Sequence, residues 1–199
     1  MGRYTGPKDR LSRREGVDLF GKGSKLTRLN VPPGVHGSKV SRTPSYYGRQ
    51  LREKQKVKRI YGVREGQFKR YVEKALKSKG NTADALFSLL ESRLDNVIYR
   101  LNFANTRAAA RQLVSHRHVL VNGKKVNIPS YQVKKGDVIT LDSKALAIPY
   151  IKKTIEEKNV KIPKWLERKA VAGKIISQPS FEDVNEPVSA QDVIEFYSK

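Results

Sequence analysis

Thr106-Arg107-Ala108-Ala109-Ala110-Arg111-Gln112-Leu113-Val114, followed by Val119-Leu120-Val121-Asn122-Gly123-Lys124-Lys125-Val126, is the stretch on which the fold turns. Thr106 is a good N-cap, and the alanine-rich run behind it favours a helix ending near His116. The β-branched run then reads as two strands around Asn122-Gly123, because that dipeptide tolerates the positive φ that a two-residue hairpin turn demands. Val133 and Val138-Ile139-Thr140-Leu141 read as two further strands across Lys134–Asp137. A helix followed by hairpins predicts a small α+β domain.

Working upstream, four helices are punctuated in the sequence. Thr43 as cap, Pro44 at the first helical position and Gly62 beyond the end predict one of them. Within it Arg49, Arg52, Lys56 and Arg59 share one face, and Tyr47, Leu51 and Val57 another. Glu53 is its only acid, so the cationic stripe is expected to carry phosphates between its charges. A second helix covers about 65–78, with Phe68, Val72, Ala75 and Leu76 inward. A third begins near Thr82 and turns Leu86, Phe87 and Leu90 to the core, and a fourth covers about 94–101 with Asn102 in the left-handed cap. Residues 1–43 are rich in Gly, Pro, Ser and Arg without a sustained period, and read as a basic arm that orders on a partner. A loop-rich subdomain packed on the body is the alternative.

Downstream come a short helix at about 149–158, the Trp165 region, a strand at 173–177 and an acidic tail. Ser189 caps a last helix whose Ala190, Val193, Ile194 and Tyr197 fall at i, i+3, i+4 and i+7. That stripe needs a docking surface, expected on the helical domain near the start of the chain. The acids around it are expected to face a neighbouring protein.

Charge narrows the partner. The 199 residues carry 41 Lys+Arg against 19 Asp+Glu, a formal net charge of +22. Residues 1–62 hold a net +12 of it, while residues 181–199 are net −4. Such self-repulsion calls for an anionic partner. No apolar run approaches the roughly 20 residues of a spanning helix. The start, Met1-Gly2-Arg3-Tyr4-Thr5-Gly6, has neither an apolar secretory core nor the Ser/Thr at position 6 that myristoylation requires. Nucleic acid is the expected partner, and a membrane is not.

Catalytic chemistry is absent from the pattern. The chain has no cysteine, so thiolate metal sites and cysteine nucleophiles are excluded. His116 and His118, two apart, are expected on opposite faces of a strand. Gly21-Lys22-Gly23-Ser24 lacks the spacing of a nucleotide-cradling loop. Asp95 and Asp142 have no acid/base partner in the sequence. No metal, cofactor or small-molecule substrate is expected, and the chain is not read as an enzyme.

Several ordered stretches carry a family resemblance. They include Leu11-Ser12-Arg13-Arg14-Glu15-Gly16, Pro33-Gly34-Val35-His36-Gly37, Gln50-Leu51-Arg52-Glu53-Lys54-Gln55-Lys56, Leu94-Asp95-Asn96-Val97, Ala110-Arg111-Gln112-Leu113-Val114, Ile128-Pro129-Ser130-Tyr131 and Glu195-Phe196-Tyr197-Ser198-Lys199. Along nearly its whole length the chain resembles the bacterial-type small-subunit ribosomal protein four (uS-four) family. The segment 93–157 is also similar to a module appended to pseudouridine synthases and tyrosyl-tRNA synthetases, but nothing outside it offers an active-site domain. A free regulatory RNA-binding factor carrying only the module is disfavoured by the long basic arm and the full-length match.

The resemblance implies an α+β fold: a discontinuous helical domain, an inserted small helix-plus-antiparallel-strand RNA-binding domain, and an extended basic arm. The divisions expected are 1–43 for the arm, 44–92 plus 189–199 for the helical domain, and 93–188 for the α+β domain. It implies binding to the 5′ domain of small-subunit (16S-type) rRNA, early subunit assembly, a place at the entrance pore for mRNA, contact with small-subunit protein five and an influence on decoding accuracy. The setting implied is the small ribosomal subunit, in the cytoplasm or an organelle stroma. Charge pattern and resemblance together mark Arg3, Lys8, Arg10, Arg13, Arg14, His36, Arg49, Arg52, Lys56, Arg59, Arg93, Arg107, Arg111, His116, Arg117, Lys124 and Lys125 for RNA contact. Lys39, Arg42 and Arg49 are marked for the mRNA path, and Val193, Ile194 and Tyr197 for a protein interface.

Overall fold

Val119–Val121 (β1) and Lys124–Lys125 (β2) pair antiparallel, with Val121 opposite Lys124. Asn122 and Gly123 turn the chain at φ 49° and 79°, the left-handed pair that a two-residue hairpin requires. The computed structural model describes residues 4–37, 43–157, 162–184 and 186–198. Its contacts divide the chain into one unit of residues 1–74 and 186–199 and a second of residues 75–185. The helix at 82–91, placed by sequence with the helical domain, falls in the second unit, and residues 1–43 fall in the first.

In the first unit, the stretch read as an arm holds a helix, Lys8–Glu15 (α1), ended by Gly16. Next comes Tyr46–Ile60 (α2), capped by Ser45, whose Oγ accepts from the Gly48 N–H at 3.2 Å. The expected cap, Thr43, and Pro44 therefore lie outside the helix. The third helix, Glu65–Leu76 (α3), buries Phe68, Val72 and Ala75, but Leu76, expected inward, is 44% exposed. The C-terminal helix, named α9 because five helices of the second unit precede it, is Ala190–Tyr197.

That last helix docks within its own unit, as its stripe requires. Val193 is fully buried, the Tyr47 and Phe196 rings lie 5.5 Å apart, and the Phe68 and Tyr197 rings 6.0 Å apart. Tyr47 nevertheless stays 56% exposed. Glu53 of α2 accepts the Ser189 N–H at 3.1 Å. Eight residues are too few for an isolated helix to persist in water, so this docking is what holds it.

The second unit runs Thr82–Glu91 (α4), Leu94–Arg100 (α5), Arg107–Ser115 (α6), β1, β2, Val138–Leu141 (β3), Ser143–Leu146 (α7), Pro149–Glu156 (α8), Leu166–Lys169 (β4) and Ala172–Ile175 (β5). The five strands form one antiparallel sheet in the order β2-β1-β3-β5-β4. Val133, expected in a strand, is not in one. Its N–H goes to the Ser92 carbonyl at 2.9 Å, beside an isolated bridge between Arg93 and Gln132. The strand β4 was not read from the sequence, because its turn to β5 passes through Ala170 at φ 48° rather than through a turn-forming residue. On β5, Gly173 sits so close to α5 that an added Cβ would meet Leu101 Cδ1 at 2.3 Å. Leu94, Val97, Ile98, Leu101, Leu113, Val119, Ile139 and Trp165 build the core between helices and sheet.

Arg168 of β4 serves two helix ends at once. Its Nη1 donates to the Leu101 and Asn102 carbonyls after α5 (3.0 and 3.2 Å), and its Nη2 to the Thr154 and Ile155 carbonyls in α8 (3.2 and 3.3 Å). The guanidinium also lies over Phe103, 5.0 Å from the ring centroid. These are carbonyls a helix end leaves unpaired, and a cation suits the negative end of the helix dipole. Arg168→Ala is expected to cost the second unit roughly 2–3 kcal/mol, the worth of charge-assisted hydrogen bonds. Arg168→Lys should recover only part, because one ammonium does not span both helix ends. Thermal unfolding followed by far-UV circular dichroism checks both.

Candidate nucleic-acid interface

In the second unit, Thr106 Oγ1 accepts the Ala109 N–H at 3.2 Å and starts α6 as its sequence indicates. The buried face of α6 is Ala110, Leu113 and Val114, which turns Arg107 and Arg111 outward by one helical turn. Both arginines are nonetheless held. Arg107 donates Nε–H to Asn96 Oδ1 at 2.9 Å, with its guanidinium 4.5 Å from the Tyr99 ring centroid. Arg111 lies 3.8 Å from Asp95. Asn96 in turn donates to Glu91 Oε2 at 2.7 Å, and Arg100 grips both oxygens of Glu91 (2.9 and 2.8 Å).

Arg93, marked for RNA contact, is only 2% exposed and donates through Nε and Nη2 to the two Asp95 oxygens at 3.1 and 2.8 Å. Burial with a bidentate carboxylate takes it out of reach of RNA, and it is withdrawn from the interface. His116, Arg117, Lys124 and Lys125 stand exposed beyond α6 and on the hairpin. Lys125 bonds Asp142 at 3.0 Å, and that bond draws the Asp142 carboxyl below its ordinary range. The His116 and His118 rings lie 6.2 Å apart, not on opposite strand faces. The α6 C-cap at His116 and the left-handed Arg117 (φ 62°) turn the chain before β1 begins. Among the described residues, no three His, Cys, Asp or Glu side chains cluster as a metal site would need.

In the first unit the α2 stripe does form one face, but not as bare charge. Glu15 of α1 receives Arg59 in a close ion pair and Arg52 at 3.4 Å. Lys56 pairs closely with Glu53 and reaches the Pro187 carbonyl at 3.2 Å. The inference that only phosphates reconcile these cations is therefore overturned, since carboxylates of the chain itself lie among them. Arg13 donates to the Val31 and Pro32 carbonyls at 2.8 and 3.1 Å, and Lys8 lies over the Phe20 ring. Arg10, Arg14, His36 and Arg49 are exposed, with Arg49 stacked 5.4 Å over the Tyr46 ring. Arg3, Lys39 and Arg42 lie outside the described residues.

The three side chains marked as a protein interface face their own chain. Val193 is buried, Ile194 is half-buried, and Tyr197 packs on Phe68 and donates its hydroxyl to Glu65 Oε1 at 2.7 Å. Glu195, expected to face a neighbouring protein, accepts from Gln50 at 2.8 Å and closely from the Tyr46 hydroxyl. Glu65 also accepts from Lys54 and Lys58, each at 2.8 Å. Partial burial opposes its charge, but the bonds from Lys54, Lys58 and Tyr197 outweigh it and hold the carboxyl down at about 2. Burial, and then the bond to Glu65, push the Tyr197 phenol upward. Sequence reasoning missed the bonds of Glu195 to Tyr46 and Gln50 and of Tyr197 to Glu65 because their partners lie 132 to 149 positions apart in the chain.

Comparison with known families and proteins accounts for the whole length. The family described as Ribosomal protein S4/S9 N-terminal domain matches residues 3–91, and that described as S4 domain matches residues 92–139. Among proteins named small ribosomal subunit protein uS4, that of Aquifex aeolicus is 51% identical over 212 aligned residues. That of Dictyoglomus turgidum is 50% identical over 208, and that of Thermus thermophilus 48% identical over 209. All of this chain and all of each relative are covered.

The depressed carboxyl of Glu65 makes a pH prediction. Its folded value, about 2, lies below the ordinary 4.5, so its stabilisation is complete above pH 4.5 and is lost as pH falls towards 2. At neutral pH Glu65→Gln should cost roughly 1 kcal/mol, after discounting for solvent screening of a half-exposed group. The gap in melting temperature between wild type and Glu65→Gln should close as the pH is lowered across that window. A gap that stays constant with pH would contradict the assignment.

Proposed function

The chain belongs to the uS4 family of small ribosomal subunit proteins, and on that premise we propose that it binds small-subunit rRNA through the cations its own carboxylates leave exposed. A member of that family is a structural constituent of the ribosome and not an enzyme. The observation that carries the RNA reading is that His116, Arg117 and Lys124 are all exposed, the first two at the end of α6 and the third on the β1–β2 hairpin. The helix end and the two-residue turn hold the backbone that carries these side chains, which lowers the ordering cost of meeting a phosphate backbone. Arg107 and Arg111, held by Asn96 and Asp95, add positive charge beside them.

The finer reading is also proposed. The RNA is the 5′ domain of 16S-type rRNA, bound early so that it nucleates subunit assembly, in the small subunits of a cytoplasm or organelle stroma. Arg10, Arg14, His36 and Arg49, all exposed, supply a second basic surface in the first unit, and Arg52, Lys56 and Arg59 join it where phosphate replaces their carboxylate partners. Arg49, with Lys39 and Arg42, lines the entrance pore for mRNA. The unit that α9 completes contacts small-subunit protein five and thereby influences accuracy. The docking of α9 on α2 supports this last point, since it ties the tail to the surface that carries Arg49.

Two measurements test the proposal. With about 6–10 phosphates contacted, affinity for a small-subunit rRNA transcript should fall by about 10³-fold or more between roughly 50 and 200 mM salt, by analogy with duplex DNA. Arg117→Ala and Lys124→Ala should each lower the salt slope by about one and leave the melting temperature unchanged. Arg93→Ala should do the reverse, lowering the melting temperature by breaking a buried pair. Filter binding across a salt series decides, and a flat dependence would refute the electrostatic reading. Separately, truncation at Val188 removes α9 and should loosen the first unit and raise stop-codon readthrough while rRNA affinity stays nearly intact. Affinity lost in step with readthrough would contradict the division of roles.

A further inference from the structure

Glu15 is an unusual occupant of a basic surface. Its side chain is 0% exposed, while those of its partners Arg52 and Arg59 remain 35% and 21% exposed. Both arginines are met by the same oxygen, Oε1. The other, Oε2, is buried and has no hydrogen-bond partner among the described residues. A carboxylate offers about four acceptor sites, so leaving one oxygen dry and unpaired is costly. Burial accordingly raises the Glu15 carboxyl above its ordinary value, even though Arg59, Arg52, Lys56 and Arg14 all work to lower it.

The carboxylate is also how α1 holds α2. Among the described residues, the other polar side-chain contacts of α1 go to residues 19–32: Ser12 to the Leu19 N–H, Arg13 to Val31 and Pro32, and Asp9 to Lys22. Of the described α1 residues, Glu15 alone forms ion pairs with α2.

We propose that Glu15 is an internal stand-in for phosphate, seated between Arg52 and Arg59 in the free protein and displaced when an RNA phosphate takes its place. The proposal rests on the reading of the α2 stripe as RNA-binding and adds how that site is kept when empty. A phosphodiester presents oxygens to both guanidiniums at once, and arginine–phosphate pairs favour that two-pronged geometry. The carboxylate serves both arginines through a single atom. The exchange therefore trades a poorly satisfied anion for a better-matched one, and the empty site never exposes an uncompensated cation pair.

The test uses the full-length chain and a small-subunit rRNA transcript, with affinities from filter binding and melting temperatures from circular dichroism. Variants are Glu15→Gln, Arg52→Ala with Arg59→Ala, and all three together. Removing the competing charge should tighten binding by about tenfold, the scale of one charge-assisted contact. That gain should vanish when both arginines are absent. Should Glu15→Gln fail to fold, Glu15→Asp decides: it keeps the charge but draws it back by one methylene, and it should also bind more tightly. A folded Glu15→Gln, or failing that Glu15→Asp, that binds no better than wild type overturns the proposal and leaves Glu15 a structural ion pair. If loss of both arginines does not weaken wild-type binding, the RNA reading of the stripe itself fails. If it does weaken binding while Glu15→Gln brings no gain, only the stand-in role fails.

Discussion

A carboxylate enclosed by cations recurs at the packing contacts of this chain. In the first unit Glu65 gathers Lys54, Lys58 and Tyr197, joining α2, α3 and α9, while Glu15 gathers Arg52 and Arg59, joining α1 to α2. In the second, Glu91 takes Arg100 and Asn96, and Asp95 takes Arg93 and Arg111. A chain with a formal net charge of +22 folds against its own repulsion. It does so with few acids, by setting them where helices meet. Partly buried pairs are screened less by salt than exposed ones, so these contacts persist under conditions that weaken surface attraction.

The same placement sorts the cations by role. Arg93 and Lys54 are spent inside the protein, whereas Arg117 and Lys124 project from short, well-fixed elements. On the proposed reading, total charge overstates the RNA-binding surface, and burial with a carboxylate partner is the better guide. Apolar packing supplies the rigid support: Leu113 and Val114 seat α6 on the core, and Ile139 seats β3, the neighbour of β1 in the sheet, on the same core. The exposed cations are carried by elements that this buried core positions.

Most of the second unit was legible in the sequence because its signals are local. Thr106 caps its helix, Asn122-Gly123 turns its hairpin, and Asn102 takes the left-handed conformation (φ 53°) expected of it. The amphipathic tail was legible for the same reason, since its stripe had to find a surface. What stayed hidden depends on residues distant in sequence. The pairing of β4 with β5 turns on an alanine at positive φ, and Arg168 reaches helix carbonyls 13 to 67 positions away. The helix α1 lies in a stretch whose composition reads as disorder, and it is held by Glu15, whose partners lie 37 and 44 positions downstream. Of the interface, the residue types were readable, but which arginines are already occupied was not. That property belongs to the carboxylates.

The claim that carboxylates divide the cations into internal and RNA-facing sets is tested most directly by lysine reactivity. The full-length protein would be treated with a small acylating reagent, alone and bound to small-subunit rRNA, and modified sites read by mass spectrometry. Lys54, 6% exposed and bonded to Glu65, should be unreactive in both states. Lys124, exposed on the hairpin, should react in the free protein and be protected in the complex. A Lys124 equally reactive with and without RNA, or a Lys54 that reacts freely and becomes protected on binding, would contradict the account.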